Sequence, residues 1–384
     1  MRPEDVAQHA HAISPFLAME VFERAVALEA AGDAIIHMEV GEPDFPTPPV
    51  IVEAAQRALK DGRTKYTHSQ GTRELREAIC EHYATRYGVR VTPERVIVTA
   101  GSSPAIWMVL SALLEPGDQV VLPDPHYACY PNFVRFCRGE PAFVDAHEEL
   151  GFRVDPEAVR ARCGPRVKEI LVNSPANPTG AVLSREALVR IAGLGPTVIS
   201  DEIYHGLTYE GEEHSILEYT QNAVVLNGFS KAYAMTGWRL GYAILPPPLV
   251  RPLQKMCQNF FVSPNDFVQA AGVAALREAG PDAARMRNVF AGRRRAILDG
   301  LRRLGFGIAV EPTGAFYVLA NARRLGHDSY RLAFEILEGA KVGVAPGIDF
   351  GSNAEGYLRF SYAASQERIA EALARLERFL RGRA

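Results

Sequence analysis

Short apolar runs rich in β-branched residues alternate with helix-like segments through the middle of the chain. They predict seven strands, at residues 95–100, 119–123, 141–145, 169–174, 197–200, 223–229 and 240–245. Helical patterns lie between several of these strands, for example at residues 104–114 and 185–194. Continuous apolar strands separated by helices are typical of a mostly parallel sheet covered on both faces. The sequence therefore predicts an α/β fold with a seven-stranded sheet flanked by helices.

The pattern changes after residue 264. Two long helical stretches are predicted there, at residues 265–279 and 281–304. The elements expected after them are strands at residues 305–311, 315–320, 342–346 and 357–363 and a last helix at 365–380. Helices grouped with short strands are typical of a smaller α+β domain.

The length of 384 residues favours two domains, because a typical domain has about 100–200 residues. We place the boundary near residues 276–282, inside or beside a long helix. Residues 46–280 are then expected to form the large domain. Residues 1–45 and 281–384 are expected to form the small domain, with the first segment as an N-terminal arm.

Composition narrows the class of protein. The net charge of −3 is close to neutral and does not predict a nucleic-acid-binding surface. The 5 cysteines have no CxxC spacing and the 10 histidines no HExxH pattern, so we expect neither a disulfide framework nor a metal site. No apolar run reaches the ~20 residues of a membrane span, and no signal peptide is recognisable at the N-terminus. We therefore expect a cytoplasmic protein with no membrane partner.

The first strand of the predicted sheet leads into a Gly-Ser-Ser turn. In the sequence GSSPA at residues 101–105, Ser103 is expected to be the N-cap and Pro104 the first residue of a helix. The N-terminus of a helix presents backbone amides that bind anions, above all phosphate. A well-capped helix without a ligand would have the same sequence, so this turn alone does not predict a site.

Three further strands are followed by polar residues. Asn177 lies in the rigid turn PANPTG, Asp201 and Tyr204 follow the strand at 197–200, and Ser230 and Lys231 follow the strand at 223–229. Each could be an ordinary turn residue. In an open α/β sheet, however, ligands bind beyond the carboxyl ends of the strands. Taken together, an amide, a carboxylate, a phenol and an amine predict a binding site at that edge.

Lys231 has no acidic neighbour in the segment GFSKAYAMTGW, which does not favour a solvated ion pair. An amine in the ligand crevice suits a nucleophile that forms a Schiff base with a carbonyl group. Arg239 offers a planar guanidinium that can bind phosphate through two parallel hydrogen bonds. Pyridoxal phosphate would use both residues, and its ring nitrogen needs an acidic partner, which Asp201 can supply.

At this point the chain resembles a known family over nearly its whole length. The matching segments are GEPDF at 41–45, TKYTHSQGTRELREAI at 64–79, TAGSSPA at 99–105, NSPANPTG at 173–180, SDEIY at 200–204, FSKAYAMTGWRLGY at 229–242, PTGAFY at 312–317 and YLRFSYA at 357–363. They resemble the pyridoxal-phosphate-dependent aminotransferases of the aspartate aminotransferase superfamily, fold type I, class I/II. The resemblance implies ping-pong transfer of an amino group from an L-amino acid to a 2-oxo acid.

The resemblance also implies how the cofactor ring is held. Lys231 matches the lysine that forms a Schiff base with the cofactor and then acts as the general base. Asp201 matches the carboxylate that pairs with the pyridine nitrogen. Tyr204 and Asn177 match the residues that bind the 3′-oxygen, and Tyr127 matches the aromatic side chain that stacks on the ring.

The phosphate group and the substrate have matching residues as well. The resemblance assigns the phosphate to Ser102, Ser103, Ser230 and Arg239. It assigns the α-carboxylate of the substrate to Gly41, Asn177 and Arg359. Tyr66 matches a catalytic tyrosine that reaches the phosphate in the neighbouring subunit, which implies a homodimer with shared sites. Like its relatives, the chain is expected to have cis peptide bonds at Asn177–Pro178 and Asp124–Pro125.

Two departures from the family pattern concern phosphate and substrate. Many relatives have a serine three positions before the lysine, where this chain has Gly228. Aspartate-specific relatives often have an arginine in the segment that corresponds to residues 258–266, QNFFVSPND, which contains none. Phe260 and Phe261 in that segment fit an apolar, aromatic or small substrate side chain better than a carboxylate.

Other functions stay open at the level of sequence. A carbon–sulfur β-lyase or a decarboxylase of the same fold would share the motifs. The segment GFSKA at 228–232 resembles the nucleophile elbow of a hydrolase, in which His327 would have to complete a triad. A transcription regulator with an aminotransferase-like domain would need a DNA-binding domain, and only 40 residues precede Gly41.

Overall fold

A computed structural model gives the fold of residues 2 and 5–383. The strands are β1 (Ile36–His37), β2 (Val96–Thr99), β3 (Gln119–Asp124), β4 (Glu140–Asp145), β5 (Val167–Asn173), β6 (Thr197–Asp201), β7 (Ala223–Gly228), β8 (Gly241–Ile244), β9 (Tyr317–Asn321), β10 (Val342–Gly343), β11 (Ala345–Pro346) and β12 (Tyr357–Ser361). The helices are α1 (Gln8–His11), α2 (Leu17–Ala30), α3 (Pro49–Lys60), α4 (Arg73–Tyr87), α5 (Ser102–Leu113), α6 (Tyr130–Phe136), α7 (Pro156–Arg162), α8 (Arg185–Ala192), α9 (Pro247–Phe260), α10 (Asp266–Arg277), α11 (Gly280–Arg303), α12 (Ser329–Ala340) and α13 (Gln366–Arg381).

The central sheet has seven strands in the order β2-β8-β7-β6-β5-β3-β4. Only β8 is antiparallel to its neighbours, so the mostly parallel sheet predicted from the sequence is confirmed. Its inner strands are mainly apolar because both faces of the sheet are covered. In β7, Ala223 and Val225 pack into the core on one face, while Val224 and Leu226 pack into the core on the other.

The smaller sheets are formed by the C-terminal part of the chain together with β1 of the N-terminal segment. Strands β11, β12 and β9 form an antiparallel three-stranded sheet, and β1 pairs in parallel with β10. Residues of α2, α11, α12 and α13 cover this part in a common core. The seven-stranded sheet thus lies within residues 96–244 and the antiparallel sheet within 317–361. The exact division at residue 280 stays a prediction.

Two strand predictions in the C-terminal part were wrong. Residues 305–311 form no strand, since Gly307 alone bridges to Asn321 and Gly305 has a left-handed φ of 80° that turns the chain. Residues 342–346 form two short strands instead of one, because the chain leaves β1 after Gly343 and joins β12 at Ala345. A local apolar pattern cannot show such a change of sheet.

Within the described residues, no helix combines the length and the apolar character that crossing a membrane requires.

Candidate active site

A cavity of about 310 Å³ lies where the carboxyl ends of the parallel strands face the small sheets. The predicted site residues that line it are Gly41, Ser102, Ser103, Tyr127, Asn177, Asp201, Tyr204, Ser230, Lys231, Arg239 and Arg359. Strands β2, β5, β6 and β7 run in the same direction, so their carboxyl ends meet at one edge. Tyr66 is 84% exposed and does not line the cavity of its own chain.

Lys231 follows β7 and places its amine inside the cavity. Its Nζ donates a hydrogen bond to the backbone oxygen of Gly41, 2.6 Å away. Burial, helped by the positive charges of Arg359 and Arg239, lowers the pKa of this amine from 10.5 to about 8 against the opposing charges of Glu42 and Asp201. Near neutral pH the amine therefore loses its proton far more readily than an ordinary lysine.

Asp201 ends β6 and is almost completely buried. Its Oδ2 accepts a hydrogen bond from the hydroxyl of Tyr130 at 2.6 Å, and its Oδ1 accepts one from the backbone amide of Ile203 at 3.1 Å. Burial raises the pKa of this carboxyl to about 6, so it is mostly ionised at pH 7. An ionised carboxylate that is held by two donors suits the protonated nitrogen of a pyridine ring.

Sequence reasoning missed Tyr130. Tyr130 follows Tyr127 by three positions, so the two rings belong to the same turn of the chain. That proximity to a predicted site residue was the one signal that could have indicated its role. The two rings meet edge to face, with centroids 5.2 Å apart. Tyr130 therefore fixes the carboxylate of Asp201 while Tyr127 lines the cavity beside it.

Arg359 lies in the middle of β12 and is 2% exposed. Its Nη1 donates to Oδ1 of Asn177 at 2.9 Å, and its Nη2 donates to the backbone oxygen of Glu39. The guanidinium lies between two aromatic rings, 4.5 Å from the centroid of Tyr317 and 4.7 Å from that of Phe350. Its Nε has no hydrogen-bond partner among the described residues. A buried cation with an unused donor fits an anionic ligand.

Tyr317 is a second residue that sequence reasoning did not assign to the site, although it ends the quoted motif PTGAFY. Its hydroxyl lies 2.8 Å from the hydroxyl of Tyr204, and both rings are buried. Asn177 is fixed from the other side, because its backbone amide donates to Oδ1 of Asn173 at 2.8 Å. The expected cis bonds at Asn177–Pro178 and Asp124–Pro125 are both present, with a third at Ser174–Pro175.

The predicted phosphate residues meet at the N-terminus of α5. Helix α5 begins at Ser102, after Gly101, so the prediction of Ser103 as N-cap and Pro104 as first helical residue was wrong. Gly101 has a φ of 94°, and a Cβ there would lie 2.5 Å from Nη2 of Arg239. Glycine is therefore required for the guanidinium to lie against the turn, because a side chain would displace it. Backbone amides, two hydroxyls and a guanidinium fit a phosphate group.

Two other residues singled out in the sequence lie outside the cavity. Gly228 does not line it, and a Cβ there would lie 3.0 Å from the backbone oxygen of Leu240, so Ser230 is the serine that this segment offers. Phe260 is 58% exposed and packs on Trp107 with centroids 5.5 Å apart, so in its own chain it does not contact the site.

The donor set at this sheet edge and the fold around it together define the class of pyridoxal-phosphate-dependent enzymes of fold type I. The family model "Aminotransferase class I and II" matches residues 33–376. The chain belongs to this family, which confirms the resemblance seen in the sequence. It is an aminotransferase, and the lyase alternative is not favoured.

Individual relatives match over nearly the full length. The chain is 41% identical to the aspartate/prephenate aminotransferase of Thermus thermophilus, over 99% of both proteins. It is 40% identical to the (5-formylfuran-3-yl)methyl phosphate transaminase of Methanocaldococcus jannaschii, over 95% of this chain and 96% of the relative. The solved structure of the aspartate aminotransferase from Thermus thermophilus with maleate matches with a TM-score of 0.94 and 40% identity, and covers 99% of this chain and 100% of that one.

Proposed function

We propose that this aminotransferase exchanges amino groups between an L-amino acid and a 2-oxo acid in two half-reactions, with Lys231 as the residue that moves the proton. The observation that carries the proposal is the buried amine of Lys231, with a pKa of about 8, in one cavity with Asp201, Arg239 and Arg359. An amine that titrates near the working pH can both lose and regain a proton, as a general base and acid must.

The residues present fit pyridoxal phosphate, the cofactor that the resemblance implies. The ring would be held by Asp201 at its nitrogen, by Asn177 and Tyr204 at its 3′-oxygen and by Tyr127 at its face. The residues for the phosphate would be Ser102, Ser103, Ser230 and Arg239. When bound, the cofactor supplies an aldehyde for the amino group and a ring that accepts the electrons of the α-carbon.

Arg359 would bind the α-carboxylate of the substrate. Its unused Nε and its planar fork suit a bidentate contact, and Asn177 and the backbone at Gly41 complete this end of the cavity. A substrate fixed at its carboxylate has a fixed α-hydrogen, which the neutral amine of Lys231 can then remove. Tyr130 contributes by keeping Asp201 in place, since its hydroxyl binds the carboxylate directly.

We also propose that two copies of the chain share their sites in a cytoplasmic homodimer. Tyr66 supports this, because its side chain is 84% exposed and does not line the cavity of its own chain, so it is free to reach a second copy. Mixed dimers test it: a chain with Tyr66→Ala combined with one carrying Lys231→Ala should regain one intact site per dimer. If Tyr66 acts within its own chain, mixing will restore nothing.

Trapping of the holoenzyme tests the role of Lys231. Reduction with borohydride followed by peptide mapping should label Lys231, and Lys231→Ala should lose amino-group exchange. The exposed Lys60→Ala serves as the matched control and should keep wild-type rates. A label on another lysine, or exchange by Lys231→Ala at the wild-type rate, would refute the assignment. Assays for pyruvate and ammonia distinguish the lyase reaction, which should be absent.

A further inference from the structure

The charges around the cavity restrict the substrate beyond its amino and carboxylate groups. The charged side chains that line it, within the described part of the chain, are Glu39, Glu42, Asp201, Lys231, Arg239 and Arg359. Under the proposed function all three cations already have a partner. Lys231 would react with the cofactor aldehyde, Arg239 would bind the phosphate and Arg359 would bind the α-carboxylate. No cation among them is left for a second carboxylate of the substrate.

The three remaining charged side chains are acids, and under the proposed function Asp201 already serves the pyridine nitrogen, which leaves Glu39 and Glu42. Glu39 has a fully buried side chain whose Oε1 lies 2.5 Å from Nδ1 of His37, so its charge already has a partner. Glu42 accepts a hydrogen bond from the hydroxyl of Thr236, and its negative charge acts on the amine of Lys231. In the lining that this chain supplies, a substrate side chain with a negative charge would therefore meet Glu42 and no free cation. An enclosed carboxylate without a partner is strongly disfavoured.

The uncharged lining offers apolar contacts instead. Phe16 and Met19, at the start of α2, line the cavity with Val40 and Ile106. The ring of Phe16 stands edge to face on Tyr127, with centroids 6.0 Å apart. These side chains come from three separate segments of the chain. They form a surface on which a hydrocarbon or aromatic substrate side chain can be buried.

We propose that the preferred amino-acid substrate has a neutral, apolar or aromatic side chain, and that the part of the cavity formed by Lys231's own chain discriminates against aspartate and glutamate, because it gives their second carboxylate an apolar surface and an acid but no free cation. This inference rests on the proposed function and narrows it to one substrate class. It separates the chain from those relatives whose names specify aspartate.

Half-reaction kinetics of the holoenzyme test the substrate class. The loss of cofactor aldehyde absorbance is followed after mixing with L-phenylalanine, L-leucine, L-aspartate or L-glutamate. The kcat/KM values for the neutral pair should exceed those for the acidic pair by at least about 10-fold, which corresponds to about 1.4 kcal/mol. A wild-type preference for L-aspartate would overturn the inference, while failure of all amino acids would overturn the proposed function as well.

Variants test whether the charge of the cavity lining causes the preference for neutral over acidic amino acids. Met19→Arg adds a cation to the apolar surface and should raise the ratio of acidic to neutral kcat/KM about 10-fold. Val26→Arg is the matched control, because it adds the same charge two turns further along α2, where 45% of Val26 is exposed. It should leave the ratio unchanged. Glu42→Gln should raise the ratio up to about fivefold, the range of a solvent-exposed charge pair.

A neutral preference that Met19→Arg and Glu42→Gln shift towards acids, and that Val26→Arg does not, supports the inference. A neutral preference that neither cavity variant shifts overturns it, since the discrimination would then have another origin. An equal shift in Val26→Arg overturns it too, because the effect would follow net charge and not the cavity.

Discussion

Replacement of Arg359 by lysine is the sharpest test of how the substrate is held. The guanidinium is buried between Tyr317 and Phe350, and both of its hydrogen-bond acceptors in the described part of the chain are uncharged. Two of its nitrogens donate to Asn177 and to the backbone of Glu39, and its Nε is unused. The charge of Arg359 acts on the carboxyl of Asp349, but no anion among the described residues accepts a hydrogen bond from the guanidinium. Its unused Nε is therefore available to a substrate carboxylate.

The expected loss can be worked out from these contacts. Arg359→Lys keeps the positive charge but loses the planar fork, and with it one charge-assisted hydrogen bond worth about 1.5–3 kcal/mol. This corresponds to a fall in kcat/KM of about 10- to 150-fold for an L-amino acid. Arg359→Met removes every donor, so it should lose more and should also destabilise the fold. It leaves the oxygens of Asn177 and Glu39 unsatisfied, at about 1–3 kcal/mol each.

The assay compares L-phenylalanine with 2-phenylethylamine, which has the same side chain and amino group but no carboxylate. Half-reaction rates are measured for the wild type and for Arg359→Lys. The variant should lose activity towards the amino acid and little towards the amine, whose rate in the wild type is already low. Equal losses for both compounds would show that Arg359 only supports the fold, and no loss for the amino acid would refute the contact.

Three further predictions concern the cofactor side of the site. In the cofactor-free protein, the pKa of Lys231 is about 8 when folded and 10.5 when unfolded, so the unfolded chain binds the extra proton between these values. The stability of the wild type relative to Lys231→Met should therefore rise between pH 8 and 10.5, by about 3 kcal/mol in chemical denaturation, and a flat difference would contradict the shift. Asp201→Asn should slow the half-reaction about 10²–10³-fold, while Asp201→Glu should retain part of the rate, because only a carboxylate keeps the ring nitrogen protonated. Gly101→Ala should weaken cofactor binding in an equilibrium titration, because its Cβ meets Arg239, whereas Gly88→Ala, which has a similar φ of 67° but no neighbour within 4 Å, should not.

The sequence predicted the central sheet well because its signal is local. The inner strands of the large sheet are mainly apolar runs bounded by turns and buried on both faces, so the run and the strand coincide, as in β7. The same reasoning failed at residues 305–311, where an equally apolar run packs as irregular chain after the left-handed turn at Gly305. Whether a run pairs depends on a free neighbouring strand edge, and that edge is formed by residues far away in the sequence.

The residues of the candidate site also differ in whether local sequence signals could place them. Asp201, Ser230 and Lys231 could be placed from the sequence, since parallel strands bring their carboxyl ends to one edge whatever the loops do. Tyr317 and Phe16 could not, because they reach the cavity only when the C-terminal part and α2 pack against the sheet. Tyr317 contacts Tyr204, which lies 113 positions before it, and no periodic sequence pattern can predict a contact over that separation. The chemistry common to the family is therefore encoded at strand ends, whereas the surface that selects the substrate arises from tertiary packing. Substitutions such as Met19→Arg should for that reason change which amino acid reacts without changing how it reacts.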